Sequence, residues 1–150
     1  MLIAIACIFS FCLQPAYALT ADNIPEPSGN ASYIVDLADV LNSDTEAKLN
    51  AEIELLHQHK QKSIYIVTVD EIEQRSVRKL YKVVPPVSPS RRFLESILLH
   101  WNVEDLKHGN SILFLVSVSD RSVEIRSGYS LKYIIRDPKA RRSLIAIFRE

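Results

Sequence analysis

Three scarcities in this 150-residue chain each close off a class of chemistry. Its two cysteines, Cys7 and Cys12, both lie near the amino terminus; loss of that segment leaves no thiol for a disulfide, a Cys-ligated zinc or a thiol nucleophile. There are only three glycines, with no Gly-rich loop to cradle a phosphate and no Gly-x-Ser-x-Gly elbow. The four histidines, His57, His59, His100 and His108, lack the paired i, i+4 spacing with a Glu that zinc hydrolases use. His57 and His59 fit a wet helix face, and His100 is incidental beside Trp101. A second apolar run of membrane length is also missing after Leu19.

What is present starts with an apolar run from Leu2 to Leu13, followed by Gln14, Pro15 and the small-x-small triplet Ala16-Tyr17-Ala18. This has the form of a secretory signal peptide over residues 1–18. Its n-region has no Lys or Arg, so an uncleaved membrane anchor is the alternative, although a spanning helix needs roughly 20 apolar residues. Export implies a periplasmic or secreted protein, or the thylakoid lumen in a photosynthetic organism. Residues 19–32, with Pro25 and Pro27, have neither helical nor strand period and are expected to form a linker. One domain, residues 33–150, remains.

The formal net charge is zero, but residues 22–73 hold eleven acids and three bases, while residues 74–150 hold seven acids and fifteen bases. Two halves that neutralise each other account for this, and the absence of a net basic balance argues against nucleic acid as a partner. The basic cluster Lys132, Arg136, Lys139, Arg141, Arg142 leaves anionic lipid or a phosphate-bearing ligand open.

Tyr33-Ile34-Val35 is a short strand. Ser43-Asp44-Thr45-Glu46 fits a capping box, opening a helix that runs to about His59 with Leu49, Ile53 and Leu56 on its core face. Ser63 to Val69 is a β-branched strand. Val83 to Pro89 cannot be helical because each proline removes a donor and restricts its predecessor. Ser88-Pro89 then makes a cap and first turn for a helix through Phe93, Leu94, Ile97, Leu98 and Trp101. Ile112 to Val118, a turn at residues 119–122, and the alternating Val123 and Ile125 form a hairpin whose first strand is buried on both faces. A helix separates Ser63–Val69 from Ile112–Val118, so these strands are expected to pair in parallel. Asp137-Pro138 begins a last helix, with Leu144, Ile145 and Phe148 on its core face.

The residues with the best claim to chemistry are carboxylates at strand ends. Asp36 and Asp39 follow a strand and precede a helix, where acidic oxygens can share a hard cation such as Ca2+ or Mg2+, at the edge where open α/β sheets tend to bind ligands. Equally, they can stabilise the turn and the positive end of the helix, worth up to about 1 kcal/mol. Asp137 completes such a site or simply caps its own helix. Asn110 offers a carbonyl oxygen or serves a turn.

Taken in order, Ile24-Pro25-x-Pro27, Ile34-Val35-Asp36-Leu37-Ala38-Asp39-Val40-Leu41-Asn42-Ser43, Ile66 to Val69, Trp101, Asn110, Ile112 to Val116, Asp120 to Ile125 and Gly128 to Leu131 resemble the TPM domain over about residues 24–148. That family includes thylakoid-lumen phosphatase-like proteins, bacterial exported proteins and an animal modulator of acetylcholine receptors. The resemblance implies an α/β fold, a single α/β/α sandwich domain with a short mixed β-sheet flanked by helices. It also implies divalent-cation binding in some members, acid phosphatase activity in a few, and accessory roles at membrane or envelope protein complexes. The metal set read from the residues is Asp36, Asp39, Asn110 and Asp137. Two loops depart from the family pattern: Gly109-Asn110-Ser111 stands where Asp-Asn-Gly is common, and Gly128-Tyr129-Ser130-Leu131-Lys132-Tyr133 where Gly-x-Gly-Leu-Glu-Gly is common. A site built on these loops is less negative and lets a ligand approach the backbone less closely. The expectation is an exported, cation-binding accessory module. The alternative is a metal-dependent acid phosphatase-like hydrolase of low activity, with Asp36 as ligand and Arg121 or Arg126 as phosphate clamp.

Overall fold

Val, Ile and Tyr crowd the stretch Ser63–Val69, and side chains that are stiff at χ1 and pack well on a pleated surface make it the central strand of a sheet. The computed structural model describes residues 19–27, 32–72, 88–101 and 109–131. Within them the strands β1 (Ile34–Asp36), β2 (Ser63–Val69), β3 (Ser111–Ser117) and β4 (Ser122–Ser127) lie in the order β1-β2-β3-β4. The pairs β1/β2 and β2/β3 are parallel and β3/β4 is antiparallel. The fold is therefore the α/β class with a mixed sheet and flanking helices that the sequence implies. β4, with its alternating pattern, takes an edge position.

Two long helices supply the crossovers. α1 (Ser43–Lys60) is capped by Asn42, whose side chain accepts the Thr45 N–H at 2.8 Å. The capping box expected at Ser43 gives way to a simple cap at Asn42, and the Glu46 N–H that a Ser43 cap would take goes to the Asn42 carbonyl at 3.0 Å. Only Ile53 is fully buried on α1, with Leu49 packed partly against the core and Leu55 facing out. α2 (Pro89–Trp101) begins as expected, with the Ser88 hydroxyl accepting the Arg91 N–H at 3.2 Å. It buries Phe93, Leu94, Ile97 and Trp101, side chains worth about 1.5–3 kcal/mol each when removed from water.

Both helices address the same face of the sheet. Ser63 meets His57 of α1 at 2.9 Å, Ser122 and Glu124 of β4 meet Ser90 and Ser88 at 2.7 Å, and Tyr65 lies edge-on to Trp101. Val67, Val69, Leu113 and Leu115 lie on that face in register and are almost wholly buried. Ile34, Ile66, Phe114 and Ile125 make up the opposite face and are buried as well.

The first part of the expected linker is packed. Ala21–Asn23 form a 3₁₀ turn, Ile24 is 1% exposed, and its carbonyl accepts the Trp101 indole N–H at 3.2 Å. An apolar residue ahead of Pro25 found a place on α2, which a reading by composition alone misses. The signal segment 1–18, residues 83–87 of the proline-containing stretch and the helix expected after Asp137 lie outside the described residues.

Candidate functional site

The carboxyl ends of β1, β2 and β3 form one rim. The loop that leaves β1 turns sharply there, because Asp39 adopts a left-handed conformation, φ 53°, which Asp tolerates better than most residues. That turn aims successive backbone amides back at Asp36. Its Oδ2 accepts the Leu41 N–H at 2.8 Å, and its Oδ1 accepts the Val40 N–H at 3.3 Å together with the Thr68 hydroxyl of β2. The same hydroxyl oxygen accepts the Ala38 N–H at 3.3 Å, and the Leu37 N–H reaches the Thr68 carbonyl at 3.0 Å. Partial burial pushes the Asp36 pKa up, but the bonds from Thr68, Leu41, Val40 and Asp39 outweigh it and hold the carboxyl below its ordinary value. Hydrogen bonds to the charged form have this effect. Asp36 is thus an ionised acceptor that closes the turn, while Asp39 shapes it through its backbone.

Two further carboxylates, passed over in the sequence, share this rim. Asp70 follows β2 and accepts the Ser119 hydroxyl at 2.7 Å; its carbonyl takes the Ser119 N–H at 2.8 Å. Asp120 sits in the turn after β3 and accepts both the Ser117 hydroxyl, at 2.6 Å, and the Ile72 N–H, at 2.9 Å. The signal was legible: each stands just past a parallel strand, the same placement that singles out Asp36. Among the described residues no ion pair involves Asp36, Asp39, Asp70 or Asp120, and no three His, Cys, Asp or Glu side chains gather in a way that would hold a metal ion.

Asn110 stands elsewhere, and grouping it with Asp36 needs correction. It immediately precedes β3, and its carbonyl accepts the Ser63 N–H at 3.2 Å, so it belongs to the amino-terminal edge of the sheet. Asp36 pairs with Thr68, five residues further along β2, about 16 Å at the rise of a strand. Parallel pairing makes the separation unavoidable. Asp137 lies outside the described residues.

The amino-terminal edge has its own polar cluster. The Tyr33 hydroxyl donates to Glu54 Oε2 at 2.8 Å, Gln58 donates to Oε1 at 2.8 Å, and the His57 ring stands 6.4 Å from that of Tyr33. Burial, the bond to Glu54 and the charge of Glu54 push the Tyr33 hydroxyl up to about 12. The hydrogen bonds from Tyr33 and Gln58 hold the Glu54 carboxyl below its ordinary value.

A mixed sheet with crossover helices and a carboxylate-lined rim places the chain in the α/β class, and comparison with known proteins narrows it. The sequence profile of the TPM domain matches residues 34–147, and the chain belongs to that family. Its fold is similar to the N-terminal domain of a protein from P. gingivalis, with a TM-score of 0.68 at 17% identity, covering 87% of this chain and 75% of that one. It is also similar to the N-terminal domain of a protein from Corynebacterium glutamicum, with a TM-score of 0.52 at 16% identity, covering 88% and 76%. Likeness at such identity concerns the fold alone. No curated protein matches the chain.

Proposed function

We propose that this chain is an exported accessory module acting on or near a membrane or envelope protein complex, and that the rim at the carboxyl ends of β1, β2 and β3 is its working edge, to which Ca2+ or Mg2+ is drawn. The observation that carries this reading is the charge of the rim. Asp36, Asp39, Asp70 and Asp120 stand at neighbouring strand ends, and no cationic side chain among the described residues pairs with them. Acidic oxygens spaced along one edge attract a hard oxygen-seeking cation. With Asp36 committed to its turn, the exposed carboxylates of Asp39 and Asp70 are the ones that face a cation, with water completing its shell.

The test is thermal melting of the full chain in millimolar CaCl2 or MgCl2 against KCl of matched ionic strength. A cation at a hundred times its dissociation constant adds about 2.7 kcal/mol, and the gain is expected to vanish in an Asp39→Asn, Asp70→Asn double variant. An unchanged melting temperature in both salts removes the cation from the proposal.

A further inference from the structure

The same rim also exposes apolar side chains. Leu37, Val40 and Val118 are 44%, 50% and 40% exposed. Backbone bonds fix Leu37 and Val118 on either side of a single strand end: the Leu37 N–H reaches the Thr68 carbonyl and the Val118 N–H the Val69 carbonyl, each at 3.0 Å. Two strand spacings then separate their backbones, about 10 Å. Between and beside them stand the exposed acids Asp39, Asp70, Glu71 and Asp120, with Arg121 the nearby cation of the turn.

We infer that this rim is a docking surface for a polypeptide segment that is both apolar and cationic, carried by the partner protein. The inference rests on the rim being the working edge and adds the chemistry of what it meets. Charge complementarity selects the occupant. Acids interspersed with Leu37, Val40 and Val118 attract lysine and arginine while the apolar side chains take up leucine or valine, and the same acids repel an anionic lipid surface. The surface is also preorganised. The Asp36–Thr68, Asp70–Ser119 and Asp120–Ile72 bonds tie the three loops to one another, so little order has to be created on binding.

The probe is a short fluorescent peptide of alternating lysine and leucine, titrated against the full chain, with a glutamate–leucine peptide and a lysine–serine peptide as controls. Amide NMR spectra of the protein locate the contact. Binding by the lysine–leucine peptide is expected, with both controls weaker about tenfold or more and with shifts centred on residues 37–41, 70–72 and 118–121. A Leu37→Ser, Val118→Ser variant and an Asp39→Asn, Asp70→Asn variant, both confined to exposed side chains, are each expected to weaken it about tenfold. Equal affinity for the variants, equal affinity for the controls, or shifts centred elsewhere overturns the inference. Titrations in EDTA and in CaCl2 separate the two proposals. Peptide binding that survives in EDTA beside a Ca2+-independent melting temperature retains docking and discards the cation, whereas a Ca2+-dependent melting temperature with variant-insensitive peptide binding does the reverse.

Discussion

The carboxylate of Asp36 accepts the hydroxyl of Thr68, and this bond joins the end of β1 to the neighbouring strand just where the loop to α1 begins. Thr68 is 3% exposed, so its hydroxyl depends on Asp36 and on the Ala38 N–H for its partners. Replacing it by valine keeps the shape and takes one partner each from the half-buried Asp36 carboxylate and Ala38 N–H. Thr68→Val is expected to cost about 1–3 kcal/mol, the penalty for leaving half-buried polar groups short of a partner, as measured by urea denaturation.

Acid should act through the same bond. The folded state holds Asp36 below its ordinary value, so the unfolded chain binds the proton first, and the stability this group confers is present above the unfolded pKa of about 3.9 and lost as pH falls through the folded value. Asp36→Asn is expected to lower stability at neutral pH and flatten the acid limb of the stability curve. The same variant tests the hydrolase alternative. Turnover of p-nitrophenyl phosphate by the full chain that is abolished both by EDTA and by Asp36→Asn establishes a metal-dependent phosphatase, whereas a turn-holding Asp36 predicts loss of stability with no such pattern.

The contrast between Asp36 and Asn110 shows what the sequence could and could not convey. The strand Ser63–Val69, the helix from Pro89 and the hairpin were legible because β-branched runs, a Ser-Pro start and alternation are local signals. Their parallel pairing was legible too, and carried to its end it separates a residue that ends a strand from one that begins the next. The work done by Asp36 was hidden, because it depends on Asp39 entering the left-handed region and turning three amides inward. Nothing in the pattern of hydrophobicity encodes that. The packing of Ile24 was hidden for a related reason: a single apolar residue in a polar, proline-containing stretch has no period to announce its burial.

Tyr33 and Glu54 give a prediction at the other edge. The folded state pushes the phenol up to about 12 from an unfolded value of about 10. Between these values the native chain holds a proton that the unfolded chain has lost, so this stabilisation is fully present below about pH 10 and disappears as pH rises through about 12. An ultraviolet titration is expected to include a late-ionising step that Tyr33→Phe removes. The same change takes a donor from Glu54, whose carboxyl is expected to move back up toward its ordinary value in a carbon-detected NMR titration.

Gly128 and Gly109 approach each other closely enough to predict unequal outcomes for the same substitution. A Cβ at Gly128 meets the Gly109 carbonyl oxygen at 2.6 Å and its carbon at 2.7 Å, while the Gly128 N–H is held by the Ser111 carbonyl at 2.8 Å. A Cβ at Gly109 meets the Ser130 hydroxyl at 2.8 Å, the end of an exposed side chain that can turn away. Backbone cannot yield so easily. Gly128→Ala is therefore expected to cost about 1–3 kcal/mol, in the range of overpacking, and Gly109→Ala distinctly less; equal losses in thermal denaturation contradict the close approach.

Ile24 decides whether the segment ahead of β1 belongs to the domain. Its side chain is 1% exposed and its carbonyl takes the indole N–H of Trp101, itself 2% exposed. A residue in a free linker can be truncated at a cost within about 0.5 kcal/mol, whereas removal of a buried isoleucine side chain leaves a cavity and costs about 2–5 kcal/mol. Ile24→Ala is expected to fall in the second range. Because Trp101 is the sole tryptophan of the chain, its fluorescence reports the event directly: loosening of residues 20–24 wets the indole and shifts emission to the red before the sheet unfolds. Trp101→Phe removes the donor and keeps the aromatic contact with Tyr65, so its smaller loss separates the hydrogen bond from the packing.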